Sequence, residues 1–122
     1  MFHLRDEHMQ GVSTASWETF EDRMVEHIRK YFPEHAAALE EEGMRLVIAH
    51  GIVEAPKYGF VSQRTICKFI DVSLALGLDF HEDERYAGVQ IHLDPESDID
   101  ASTRADQLVD AAIDHVMKQE SL

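Results

Sequence analysis

The sequence predicts an all-α protein, a single compact domain (1–122) of five or six helices around a central apolar helix at about residues 62–76. Three observations lead there. Apolar residues recur at spacings of three and four over several long stretches, and the one alternating run is too short to find a partner strand. Glycines and prolines are scattered and do not punctuate the chain into short strands. At 122 residues, 44% of them hydrophobic, the chain has the size of one domain, and no repeat or low-complexity stretch divides it.

The first clear helix runs from about Ser16 to Tyr31. Trp17, Phe20, Met24, Ile28 and Tyr31 form its apolar face, Ser16 suits its N-cap, and Arg29 and Lys30 sit at the negative end of its dipole. An exposed Trp17 anchor is the alternative to core packing. Upstream, Leu4 to Met9 add a turn or two joined through Gly11 and Val12, which makes residues 1–15 a loosely packed segment. Phe32-Pro33 stops the helix, and Pro33 opens a short second one through Leu39. Glu40-Glu41-Glu42-Gly43 then introduces a longer helix bearing Met44, Val47, Ile48, Ile52 and Ala55. Gly51 inside it costs about 1 kcal/mol relative to alanine, which points to a close helix contact or a bend. Pro56 breaks this helix, and Tyr58-Gly59 makes the turn after it.

Ser62 caps the most buried helix, whose stripe is Ile66, Cys67, Phe69, Ile70, Ser73, Leu74 and Gly77, with Gly77 in the left-handed position past its end. A polar loop follows from Leu78 to Tyr86. Val89, Ile91 and Leu93 alternate as a strand does, but a lone strand has no partner here, so a short helix or turn is the consistent assignment. Asp94-Pro95-Glu96-Ser97-Asp98 is loop. The last helix spans about Ala101 to Lys118 with Ala105, Leu108, Val109, Ala112, Ile113 and Val116 on its face, and the short connections favour antiparallel neighbours.

Composition bounds the function. With 24 acidic and 11 basic residues the formal charge is -13, which opposes binding to a phosphate backbone or an anionic membrane. Nucleic-acid and membrane partners are therefore set aside. Cys67 is the sole cysteine, so no intramolecular disulfide forms, and the start Met1-Phe2-His3-Leu4-Arg5-Asp6-Glu7 lacks the pattern of a signal peptide. No run approaches about 18 apolar residues. A cytoplasmic protein is expected.

Chemistry is harder to find. The eight histidines (His3, His8, His27, His35, His50, His81, His92 and His115) include one helical i,i+4 pairing with a carboxylate, His50 with Glu54, and no zinc or di-iron motif. Asp79, Asp83 and Glu84 miss the calcium-loop spacing and its glycine. Cys67, among Ile66, Phe69, Ile70 and Leu74, reads as a core thiol whose burial raises its pKa and removes it as a nucleophile. No nucleophile elbow, phosphate loop or dinucleotide fingerprint occurs. The expectation is a non-enzymatic protein with no catalytic residues, cofactor or metal.

Charge distribution says more. Residues 79–122 hold 12 acids and 3 bases, while residues 1–78 hold 12 and 8. The carboxyl third is an acidic surface, which serves solubility or speeds encounter with a basic protein. Asp79, Phe80, Glu82, Asp83, Glu84 and Tyr86 are the interaction candidates, an acidic loop bracketed by two aromatics that act as anchors in an interface or pack into the core. Periodicity does not distinguish a face kept for a partner from one kept for a second copy of the chain, so a homodimer stays open.

The ordered set Tyr58-Gly59-Phe60-Val61-Ser62-Gln63, Phe69-Ile70 and Leu76-Gly77-Leu78-Asp79-Phe80, with Phe20, Arg23, His27, Arg29, Phe32-Pro33, Arg45 and Gly51-Ile52 upstream, resembles small bacterial proteins found with type VI secretion genes. The likeness covers roughly residues 16–93. Members sit beside genes for the VgrG spike, PAAR tip proteins, effectors and loading adaptors, and some are regarded as co-adaptors or accessory chaperones. Two departures stand out: Asp79-Phe80-His81 replaces the family's Asp-Phe-Asp, and Tyr86-Ala87-Gly88 replaces its Pro-Trp-Ala. The resemblance implies a co-adaptor or chaperone that binds an effector-loading adaptor or an effector. The alternatives are an immunity protein that neutralises a cognate toxin, and a small helical metal-binding protein or enzyme built on His50 and Glu54.

Overall fold

The computed structural model of the protein describes residues 14–121, with side chains for residues 18–119. The expectations for the segment 1–13, the Ser16 cap and Trp17 lie outside the described residues or side chains. Every regular element among the described residues is helical, in agreement with the all-α reading. The chain divides into two compact units, Met1–Arg45 and Leu46–Leu122.

The first unit contains α1 (Thr14–Tyr31) and the opening of α2 (Pro33–Glu54). Phe20, Met24 and Ile28 are buried as their spacing requires, and Val25 joins them. Tyr31, expected on the same face, is exposed; its ring lies 5.1 Å from the Lys30 ammonium and 5.0 Å from the His27 ring. Helical hydrogen bonding runs through the join, since Phe32 N donates to Ile28 O and Ala36 N to Phe32 O. Arg45 ties the two arms by bonding Glu41 at 3.0 Å and Asp22 at 2.9 Å. The expected change of helix at Glu40 is real and takes the form of a kink, with Glu40 at φ 62° and ψ 177°. That region belongs almost wholly to glycine, so Glu40 is a strained hinge between the two arms of α2.

The second unit begins with the rest of α2 and a 3-10 turn, Ala55–Tyr58, in which Pro56 occupies the first turn, where its missing N–H costs nothing. Gly59 ends this turn at φ 89°, a left-handed conformation that a side chain resists. The third element, α3 (Gln63–Leu76), opens on a reciprocal cap: Thr65 N donates to Ser62 Oγ and Ser62 N to Thr65 Oγ1. Its buried set is wider than one stripe, because Val72 and Leu76 are covered along with Ile66, Phe69, Ile70 and Leu74. Cys67, expected in the core, is only half-buried. Gly77 has the expected positive φ of 115°, but its ψ of 154° sends the chain away extended instead of in a left-handed turn.

Val89, Ile91 and Leu93 are helical, in α4 (Ala87–Gln90) and the 3-10 turn Ile91–Leu93. The last helix, α5 (Ala101–Ser121), starts on Asp100, whose carboxylate accepts from Thr103 N at 3.0 Å. Its longest contact is with α3. Arg64 bonds Ser102 at 2.7 Å and Asp106 at 3.0 Å, and Lys68 bonds Asp106 at 2.6 Å. The helix starts are thus side by side and the two helices run in the same direction. The expectation of antiparallel neighbours fails for this pair because residues 77–100 form a long return connection.

Two close contacts hold the second unit together. Gly51 faces Ile70 so closely that a Cβ there would overlap Ile70 Cγ1, so the glycine marks a close helix contact and not a bend. Arg104, 4% exposed, donates from Nε to Ile99 O (3.1 Å) and from Nη1 to Tyr58 O (3.0 Å) and His92 O (3.3 Å), with its guanidinium 4.9 Å from the Phe60 ring centre. Among the described residues no carboxylate pairs with it. A Cβ on Gly59 would come within 2.8 Å of Nη2, so the turn is glycine for space as well as for φ.

Replacing Arg104 by alanine removes the donors of three partly buried carbonyls and empties the buried space its side chain fills, so urea unfolding is expected to show a loss of about 2 kcal/mol or more. A loss below about 1 kcal/mol would refute the role given to this side chain. Gly51→Ala gains helix propensity yet drives a methyl into Ile70, and the expected balance is a destabilisation of about 1–3 kcal/mol, read from the same unfolding curves.

Candidate functional site

The interaction candidates lie on one short loop after α3. Asp79 and Glu84 are exposed, and Glu82 is exposed at 77%. Asp83 is partly withdrawn: its carboxylate accepts from Arg85 N at 2.9 Å and pairs with Arg85 Nη2 at 2.7 Å, which holds the carboxyl below the usual carboxylate range. The loop is fastened from the other side by Gln90, whose Nε2 donates to Phe80 O at 2.8 Å and Asp83 O at 2.7 Å. It is therefore a shaped surface, not a slack connection.

The aromatic candidates behave as core. Phe80 is 0% exposed and its ring lies 5.2 Å from that of Phe69, which in turn is 6.4 Å from Phe60. Tyr86 is 9% exposed, set against His115 at 4.9 Å and under the Arg85 guanidinium at 5.2 Å. Neither offers an anchor to a partner, and the anchor reading of both is corrected. The reason lies in spacing: the two rings stand at the roots of the loop, where it must attach to the helices.

Exposed apolar side chains occur elsewhere. Leu78, Ile91 and Ile99 stand out of the connection between α3 and α5, Ile91 at 70% exposure, and Ile113 and Met117 are exposed one turn apart on α5. A signal for Ile91 exists in the sequence. Once residues 87–93 are helical, Val89 and Leu93 share a face at i,i+4 and Ile91 between them points the other way. Around these apolar groups the acids Asp94, Glu96, Asp98, Asp100, Asp110 and Asp114 are exposed.

Beneath the loop the structure assembles a polar cluster. His50 and Glu54, successive turns of α2, meet His81 of the loop: His81 Nε2 lies 3.7 Å from Glu54 Oε1 and 3.9 Å from Glu82 Oε2, and the two imidazole centres are 6.0 Å apart. Lys57 bonds Glu54 Oε2 at 3.0 Å and holds its carboxyl below the usual range. Burial pushes the nearby Tyr58 hydroxyl up. Among the described residues the Nδ1 atoms of His50 and His81 are buried without a hydrogen-bond partner. Sequence spacing gives the first pair and misses His81, which the fold brings from 27 positions beyond Glu54.

No family model, no curated protein and no solved structure matches the chain. No helix among the described residues is long and apolar enough to cross a membrane.

Cys67 bears on reactivity. Burial pushes its thiol up to about 11, assisted by the Asp71 carboxylate one turn along α3. Alkylation by iodoacetamide at pH 7.5 is expected to run roughly two orders of magnitude slower than for an unperturbed thiol with pKa about 8.5, and to accelerate with each unit of pH up to about 10. A rate equal to that of a small model thiol would contradict this burial.

Proposed function

We propose that the chain is a non-enzymatic accessory protein of a type VI secretion module, a co-adaptor or chaperone that works in the cytoplasm and binds an effector-loading adaptor or an effector. The observation that carries the binding role is the placing of exposed Leu78, Ile91 and Ile99 within a connection dense in exposed carboxylates. Apolar groups that lose their water on contact supply affinity, and a surrounding field of one sign steers a basic partner and raises its association rate. The secretion context comes from the resemblance of residues 16–93 alone. Glu82 and Glu84 are the steering residues of the loop, Asp83 being engaged with Arg85. An immunity protein facing a basic toxin uses the same chemistry, and the partner recovered distinguishes the two.

The test is capture of the protein from the cytosol of its native bacterium at moderate salt, with the copurifying chains identified. The expected result is a loading adaptor together with its effector. Recovery of a toxin alone, neutralised one to one, replaces this reading with immunity. With the partner in hand, Glu82→Lys with Glu84→Lys is expected to lower the association rate about tenfold at low salt and to flatten its salt dependence. Ile91→Asp is expected to speed dissociation about tenfold or more. Unchanged kinetics in both would remove this surface from the interface.

A further inference from the structure

We propose that the outward face of α2 is where two copies of this chain associate, the two helices lying antiparallel about a two-fold axis beside Ala49. Leu46, Ala49 and Val53 recur at spacings of three and four, so they share one face of the helix. Val47, Ile48, Gly51 and Ala55 take the opposite face into the core, where Gly51 meets Ile70. Leu46 is 67% exposed and Val53 62%, and Ala49 and Pro56 beside them are exposed too. The most solvent-facing side of a helix is where polar groups belong, yet this stripe carries none from Leu46 to Pro56.

Charge decides what covers it. A chain of formal charge -13 repels its own copy wherever acids line the contact. Leu78, Ile91 and Ile99 stand among exposed carboxylates, which suits them to a basic partner and turns a like chain away. The α2 stripe is free of acids, and its two ends carry opposite signs: Glu42, on the same arm of α2, is exposed one turn before Leu46, and Lys57 is exposed one turn after Val53. That order makes the face complementary to itself. Leu46 and Val53, and likewise Glu42 and Lys57, are centred on the same point of the chain. In an antiparallel pair turned about this point, Leu46 lies level with Val53 of the second copy and Glu42 level with its Lys57. Each contact is then made twice, as a two-fold interface requires. Ala49 stands next to the axis, and its small side chain lets the helices approach closely. A parallel pair would set like charges level with one another.

The contact is smaller than the roughly 800 Å² per partner of a standard interface, so the dimer is weak, with a Kd on the order of 10–100 µM. The experiment is sedimentation equilibrium of the full chain up to about 500 µM, at physiological ionic strength, where a Debye length of about 8 Å screens the distant acids. A monomer–dimer equilibrium is expected. Leu46→Asp with Val53→Asp is expected to weaken it about tenfold or more, while urea unfolding of the dilute monomer stays unchanged because both side chains are exposed. Glu42→Lys sets like charges level and is expected to weaken the dimer about threefold, and adding Lys57→Glu to it is expected to restore the affinity. Ile91→Asp is expected to leave the equilibrium as it is, which separates this face from the surface assigned to the basic partner. A chain that stays monomeric at about 500 µM, or a dimer that survives Leu46→Asp with Val53→Asp, overturns the proposal. So does a loss of monomer stability in that variant, which would mean that the chain covers this face itself. Failure of the charge exchange to restore affinity overturns the antiparallel arrangement.

Discussion

The second unit depends on a buried arginine that, among the described residues, pairs with carbonyls and not with a carboxylate. Arg104 sits in the first turns of α5 and spends its guanidinium on three carbonyls, those of Tyr58, His92 and Ile99, and on the face of Phe60. These carbonyls belong to a turn before α3, the 3-10 turn after α4 and the approach to α5. Each lies where helical hydrogen bonding has ended, so without the arginine each would depend on water for a donor. One side chain thus closes three chain ends. Lysine has the charge for this but not the planar set of donors, and a neutral side chain has neither. The arginine in turn dictates Gly59, whose missing Cβ is the space that Nη2 occupies.

Much of this architecture is legible in the sequence because helices are local objects. The three-four periodicity, the Ser62 cap, the break at Pro56 and the change of helix at Glu40 are set by neighbours within a few residues, and they appear where spacing puts them, apart from Tyr31 and Ile113, which their spacing places on apolar faces and which stand exposed. What spacing does not carry is which helices meet and which way they run. Arg64, Arg104 and Lys68 look like ordinary surface cations until the starts of α3 and α5 lie side by side. Then two of them join the helices through Ser102 and Asp106, and the third is buried. The same limit explains the aromatics. A loop between Phe80 and Tyr86 reads equally as an exposed patch with anchors or as a strap pinned at both ends, and only the Phe60, Phe69 and Phe80 packing decides for the strap.

Parallel alignment of α3 and α5 has a functional consequence. Two parallel helices require the chain to return to the starting end before the second begins, and residues 77–100 make that return. A short antiparallel turn would have had no room for Leu78, Ile91 and Ile99, or for the acids that surround them. The exposed surface and the buried cluster are outcomes of this one topological choice. The loop that shows Glu82 and Glu84 to solvent carries His81 between them and the core, and lays it against Glu54.

The acidic character of this region is also less uniform than its composition implies. Asp83 is engaged with Arg85, Asp100 caps α5, Asp106 holds Arg64 and Lys68, and Asp114 pairs with Lys118. These carboxylates serve the fold. Among the described residues, Glu84, Asp94, Glu96, Asp98 and Asp110 bond no cation, so the uncompensated charge of this region lies mostly on the return connection, with Asp110 of α5 beside it. A long-range field is set by charges left uncompensated within a Debye length, about 8 Å at physiological ionic strength. Selection for solubility alone has no need to gather them around exposed isoleucines. A surface that must first attract a basic partner and then exclude water from the contact needs both together.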